Sequence, residues 1–244
     1  MGNNELYKQI SSETPLISVG VVSADLMNLA ADLAALEKAG IKLLHFDVMD
    51  GVFCPTMTIG PGFIKGIKSP LLKDVHLMIE EPLDKVQSYV AAGADMVTVH
   101  VESSRYVHRV LQVLEGMENV NDPERGILRG IALNPGTPLE VVEPLLDMVE
   151  MVFLVAINPG WAGQKFPPEA VKRRIRSLIQ MIRTRGKDIL VGIDGGVKAQ
   201  NIADIAAMGA DIIVTGSAVF RAGTPQQTAE AMIQTVKKAA TPAD

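Results

Sequence analysis

The chain has 244 residues, 48% of them hydrophobic and 21% charged, enough to bury one large core and too apolar for a disordered protein. A net charge of −5 argues against a sequence-independent grip on nucleic acid or on an anionic membrane, since both need an excess of Lys and Arg. The single cysteine, Cys54, rules out an intrachain disulfide and, with 12 methionines, points to a reducing, cytoplasmic setting.

Residues 1–15 read as an N-terminal extension without the apolar stretch of a signal peptide, and 16–240 as one domain with no run approaching the ~18 apolar residues of a membrane helix. The first strand is LISVGVV from Leu16. A helix follows in DLMNLAADLAALEKAG, with Leu26, Leu29, Leu33 and Leu36 on one face and Gly40 as its stop. Further β-branched or apolar runs begin at Leu43 (LLHFDV), Asp74 (DVHLMI) and Met96 (MVTVHV). The polar segment MENVNDPERGILRG reads as a surface loop before GIALNP from Gly130. MVFLVAI from Met151 precedes a helix in PPEAVKRRIRSLIQMIRTRG. That helix buries Val171, Ile175, Leu178, Ile179 and Ile182 and turns Lys172, Arg173, Arg174 and Arg176 to solvent. ILVGID from Ile189 and DIIVTG from Asp211 complete eight strands. The phrases KAGIK, AAGADMV and AMGADII mark helices that stop at glycine before a strand. Eight strands alternating with helices predict parallel βαβ units closed into a single (β/α)8 TIM barrel.

Strand alternation puts His45, Asp47 and Met49 on one face of the second run, and His76 and Met78 on one face of the third; Asp194 ends the seventh. A parallel barrel leaves no wet face, and an unpartnered buried carboxylate is costly, so these residues need partners. All lie near C-terminal strand ends, the rim where barrel active sites form. Two imidazoles and two carboxylates there suit one divalent ion, with Zn2+, Fe2+ and Mn2+ all compatible, and we favour this over an ion-free His–Asp network. Gly195, Gly196, Gly216 and Ser217 follow the seventh and eighth strands, where backbone N–H groups commonly bind phosphate. Gly160 and Gly163, in NPGWAGQKF, suit a lid over a ligand; the simpler alternative for all these glycines is tight βα turns. His100 and Glu102 share a face and read either as support for the site or as a self-contained hydrogen-bonded pair. His108 is expected on the surface and Cys54 as a buried filler.

The motifs HFDVMDG, DVHLM, LNPGTP, NPGWAGQ, DGGV and GSAVF resemble, in order and spacing, those of the ribulose-phosphate 3-epimerase family, from Leu16 to Phe220. The resemblance implies a ribulose-phosphate-binding type of barrel and one divalent ion on His45, Asp47, His76 and Asp194. It further implies interconversion of D-ribulose 5-phosphate and D-xylulose 5-phosphate by proton transfer at C3 through a metal-stabilised enediolate. Asp47 and Asp194 are the implied acid/base pair, with Asp47 removing the proton in the ribulose-to-xylulose direction. The implied substrate contacts are Met49, His76, Met78, Gly160, Trp161, Ala162, Gly163, Gly195, Gly196, Gly216 and Ser217. The chain departs from the family pattern at Gly20, where relatives carry serine, and at Val155, where a third methionine is expected. It also has Val52, Cys54 and Thr56 in place of His, Val and Asn. Alternatives are therefore a 3-epimerase for another ketose phosphate such as D-allulose 6-phosphate, for which Gly20 would leave room, a metal-assisted decarboxylase or aldolase, and a catalytically silent phosphosugar-binding barrel. The expected partners are a small ketose phosphate and further copies of the chain, with no nucleic acid and no membrane.

Overall fold

A computed structural model of the chain describes residues 5–221 and 223–240, so residues 1–4 of the expected N-terminal extension lie outside the described residues. Helix α1 (Glu5–Ser11) precedes the alternating series β1 (Leu16–Gly20), α2 (Leu29–Lys38), β2 (Leu43–Met49), α3 (Pro61–Gly66), β3 (Leu72–Met78), α4 (Val86–Ala91), β4 (Met96–His100) and α5 (Val107–Glu115). It continues with β5 (Leu128–Leu133), a 3-10 segment (Leu139–Leu145), β6 (Met151–Val155), α6 (Pro168–Thr184), β7 (Leu190–Asp194), α7 (Ile202–Ala207), β8 (Ile212–Thr215), α8 (Ser217–Arg221) and α9 (Pro225–Ala240). The strands are parallel and pair in chain order, with β8 closing on β1, which is the expected TIM barrel. No described helix is long and apolar enough to cross a membrane.

The barrel interior is apolar at the N-terminal end and polar at the other. Leu43, Leu72, Met96, Leu128, Met151, Leu190 and Ile212 form an inner apolar cluster that also takes in Leu6 and Ile10, so α1 stoppers the N-terminal mouth. Above them Phe153 fills the middle of the barrel without exposure. Its neighbour in register on β7 is Gly192, where a Cβ would fall 2.5 Å from the Phe153 ring. The glycine on β7 is thus the space that the phenyl ring occupies, since close-packed interiors accommodate a large side chain only opposite a small one.

The phrases AAGADMV and AMGADII have a second role beyond stopping helices. Gly93 and Gly209 take the left-handed conformation at φ +96, and the aspartates that follow reach sideways. Asp95 accepts the Lys73 N–H at 2.9 Å and Asp211 the Val191 N–H at 2.8 Å, pairing the backbone where neighbouring strands begin.

Three local expectations are corrected. Leu26 stands outside α2 and is exposed, because the helix begins only at Leu29. Arg174 is half-buried rather than solvated: it donates to the carbonyls of Thr137 (2.7 Å) and Asn134 (3.4 Å), tying α6 to the loop after β5. The loop before β5 is not all surface, because Asn119 is fully buried and donates to Asp95 (3.0 Å) and to the Gly126 carbonyl (3.0 Å).

Gly192→Ala should therefore overpack the barrel. We expect a loss of about 1–3 kcal/mol, read as a lower urea midpoint at unchanged slope; an unchanged midpoint would show that Phe153 moves aside freely.

Candidate active site

Parallel pairing of β2 with β3 sets the site. The register puts His45 beside Asp74, Asp47 beside His76 and Met49 beside Met78, so the inward faces of the two strands carry interleaved polar side chains. Asp194 ends β7 across the barrel. One ligand atom from each of His45, Asp47, His76 and Asp194 lies within 4.8 Å of the others, the four residues expected to converge. His45 Nε2 is 3.2 Å from Asp47 Oδ1, and His76 Nδ1 is 3.6 Å from Asp47 Oδ1 and 3.5 Å from Asp194 Oδ2. The imidazoles are fully buried, whereas the carboxylates keep 21% and 15% of their side-chain surface and so reach the overlying cavity.

The fit to a divalent ion can be tested on these atoms. His45 Nε2, Asp47 Oδ1 and His76 Nδ1 are buried, find no hydrogen-bond partner among the described residues and lie together in one cluster. Buried polar atoms are rarely left so, and two imidazole nitrogens with two carboxylates form a donor set suited to a first-row divalent ion. The residues fit the ion.

Behind the imidazoles lie groups that sequence reasoning missed or left open. His45 Nδ1 is 2.7 Å from Asp74 Oδ2, which also accepts from the Ser18 hydroxyl at 2.9 Å; Asp74 and Ser18 are fully buried. The same alternation that singled out His76 puts Asp74 on its face, two residues earlier, so the signal was present in DVH. Burial disfavours charge on His45, but Asp74 and Asp47 together outweigh it and hold its pKa well above the usual histidine value. Asp47 is pushed up by burial, yet His45 and His76 prevail and keep its carboxyl well below the usual carboxylate range. His100 Nε2 lies 2.8 Å from His76 Nε2, and His100 Nδ1 lies 3.1 Å from Glu102. Burial pushes the His100 pKa down to about 4 despite Glu102, leaving the ring neutral. His108 is exposed and Cys54 is a buried free thiol, each as expected.

A cavity of about 340 Å³ opens above the carboxylates. Asp47, Met49, Met78, Asp194 and Gly195 line it from the strand ends, and Gly160, Trp161 and Ala162 from the loop after β6. Val155 forms part of the wall where the longer methionine was expected. Thr56, one of the positions that depart from the family pattern, lines the cavity too, whereas Thr58 was not anticipated as a lining residue. Thr58 donates to the Asp47 carbonyl at 2.6 Å and accepts from the Met49 N–H at 2.9 Å; Thr56 donates to the Gly160 carbonyl at 2.8 Å. These bonds tie the loop after β2 to the end of its own strand and to the loop after β6.

Gly163, Gly196, Gly216 and Ser217 do not line this cavity. Gly216 packs against the loop after β1, where a Cβ would lie 2.7 Å from the Ser23 hydroxyl, so loop packing alone accounts for that glycine. Gly20 does not open a void towards β8 either: a Cβ there would fall 3.3 Å from Gly216 Cα. The extra room expected beside Gly20 is taken up by that backbone.

Comparisons agree on the kind of protein this is similar to. Residues 16–220 match the Ribulose-phosphate 3 epimerase family. The chain is 40% identical over 211 residues to the ribulose-phosphate 3-epimerase of Escherichia coli K12, covering 84% of this chain and 88% of that protein. It is 40% identical over 216 residues to the ribulose-phosphate 3-epimerase of Synechocystis, covering 86% and 90%. Among solved structures, 3-hexulose-6-phosphate synthase from Salmonella typhimurium superposes with a TM-score of 0.65 at 20% identity, over 92% of this chain and 99% of that one, which bears on the fold alone.

The raised His45 pKa predicts that an ion must displace a proton from Nε2. Calorimetric titration with Mn2+ at neutral pH, in two buffers of different ionisation enthalpy, should give buffer-dependent heats reporting proton release. Equal heats would mean that His45 is already neutral.

Proposed function

The chain belongs to the ribulose-phosphate 3-epimerase family, a family of isomerases, and from that premise we propose that it interconverts D-ribulose 5-phosphate and D-xylulose 5-phosphate by moving a proton at C3. The observation that carries this reading is the pair of carboxylates, Asp47 on β2 and Asp194 on β7, partly exposed at the floor of one cavity and sharing the buried His76 imidazole beneath it.

A C–H next to a carbonyl is weakly acidic, and inversion requires removal of a proton from one face and delivery to the other. Two acid/base groups are therefore needed. Asp47, held ionised by His45 and His76, is suited to accept the C3 proton. Asp194 delivers its own proton to the opposite face, and the roles reverse in the other direction. His45, Asp47, His76 and Asp194 would hold a divalent ion, which when bound would supply Lewis-acid stabilisation of the charge that collects on the substrate oxygens. Met49 and Met78 offer the reacting carbon a polarizable, poorly hydrating wall. Trp161, exposed at the cavity mouth, is proposed with Gly160, Ala162 and Gly163 to cover the sugar. The phosphate is proposed to lie against the backbone N–H groups of Gly195, Gly196, Gly216 and Ser217. A buried free thiol and a phosphosugar substrate suit a cytoplasmic enzyme, which we propose to assemble from further copies of the chain.

A second reading, a 3-epimerase for a longer ketose phosphate, is favoured by Val155, which is shorter than the methionine expected at that point of the wall. Incubation with D-ribulose 5-phosphate in D2O should place deuterium at C3 and form xylulose 5-phosphate. Exchange with D-allulose 6-phosphate alone would reassign the substrate, carbon–carbon cleavage the reaction, and thermal stabilisation without turnover would leave a silent binding protein. Asp47→Asn and Asp194→Asn should each lower turnover by about 10²–10⁴-fold in folded protein. If either retains full activity, the two-carboxylate mechanism is wrong. Gly20→Ser should raise turnover on ribulose 5-phosphate, the β1–β8 contact yielding by a few tenths of an ångström; a loss with unchanged folding would show the contact to be unyielding.

A further inference from the structure

We propose that Glu102 and His100 are positioning residues that fix which nitrogen of His76 carries its proton, and so keep His76 Nδ1 open for an ion. The inference rests on the reading that His45, Asp47, His76 and Asp194 hold a divalent ion.

One chain of contacts links His76 to Glu102. His76 Nδ1 faces Asp47 and Asp194, so it is the nitrogen that would serve as ligand, and its proton must then sit on Nε2. That nitrogen is 2.8 Å from His100 Nε2. Two imidazole nitrogens form a hydrogen bond only if one donates and the other accepts. His100 Nε2 must therefore be the acceptor, and the His100 proton must sit on Nδ1, 3.1 Å from Glu102 Oε2. Glu102, an acceptor only when ionised, suits this arrangement and no other.

Glu102 is itself held in place. Its other oxygen accepts the Asn134 N–H at 2.8 Å and the Thr137 hydroxyl. Asn134 and Thr137 belong to the loop that Arg174 grips from α6 by their carbonyls. The Phe53 ring packs against His100 with centroids 4.7 Å apart, and the His76 and His100 rings lie within 13° of parallel. Phe53 is positioned in turn by Asp50, which accepts the N–H groups of Val52 (2.9 Å), Phe53 (2.9 Å) and Glu80 (2.8 Å). The pair is therefore not an isolated hydrogen bond. A backbone donor on β5's loop determines the proton position of a ring two strands away.

Glu102→Gln tests this because the substitution changes one acceptor into a donor at nearly constant shape. The fixed Asn134 N–H requires the new carbonyl oxygen, which turns the amide NH2 towards His100 Nδ1. His100 must then accept there and carry its proton on Nε2, and His76 must accept on Nε2 and carry its proton on Nδ1, where the ion would bind. With four histidines in the chain, 15N-histidine NMR of ion-free protein can read each ring directly. In the native protein we expect protonated Nδ1 on His100 and protonated Nε2 on His76; in Glu102→Gln both are reversed. Mn2+ affinity, measured by competition with a fluorescent chelator, should fall about 10–100-fold while the far-UV spectrum is unchanged. Native rings with the opposite protonation would overturn the proposal even if the variant failed to fold. So would a folded variant whose Mn2+ affinity stays within twofold of native. Native protein that binds no divalent ion at all would instead remove the ion reading on which the proposal rests.

Discussion

Two imidazoles with no exposed surface impose the governing constraint on this molecule. Burial inside a closed barrel takes His45 and His76 away from bulk solvent, so each ring nitrogen depends on a partner within the site. The outward nitrogens do so with Asp74 and His100. The inward nitrogens face Asp47 and Asp194 and find no hydrogen bond among the described residues. Orientation and readiness for a ligand therefore come from the same accounting: once the outer contacts are made, each ring has one nitrogen left and one direction in which to present it.

That arrangement depends on the parallel register. In β2 and β3 each inward residue is flanked by the inward residue of its neighbour, so His45 meets Asp74 and Asp47 meets His76. A slip of one residue would send every one of these side chains towards the helices. The Phe153 ring stiffens the arrangement from below, parallel to His76 within 11° at 6.1 Å and tilted against His45 at 6.0 Å. Its space is supplied by Gly192, and the α1 residues Leu6 and Ile10 close the apolar end beneath. The polar layer thus stands on a packed floor, and small displacements of its members meet resistance from below.

The loops add a second level of control. Thr58 secures the end of β2, Thr56 joins that loop to the one after β6, and Gln164 braces the latter by accepting from the Asn158 N–H (3.0 Å) and donating to the Asn158 (2.7 Å) and Trp161 (2.9 Å) carbonyls. The cavity wall is consequently built from elements linked to the carboxylate-bearing strands. Two of the departures from the family pattern, Thr56 and Val155, lie in that wall, and none falls among the imidazoles and carboxylates.

Eight strands, their order and the inward direction of His45, Asp47, His76 and Asp194 were legible in the sequence, because alternation along a strand is a local property and a wholly parallel barrel covers both faces. Met49, Met78, Gly160, Trp161, Ala162 and Gly195 were likewise legible as residues of one rim. The sequence could not say that Asp74 and Ser18 back His45, or that His100 engages His76, since strand register and ring contacts depend on inter-strand pairing. Nor could it show Arg174 turned inwards: helical periodicity placed it opposite the apolar face, whereas the loop after β5 folds up to meet it and supplies two carbonyls in need of a donor. Gly20 suggested empty space only until closure of the barrel brought Gly216 within 3.3 Å of where its Cβ would be. Periodicity thus determined which way side chains point, and only closure of the barrel decided what they meet.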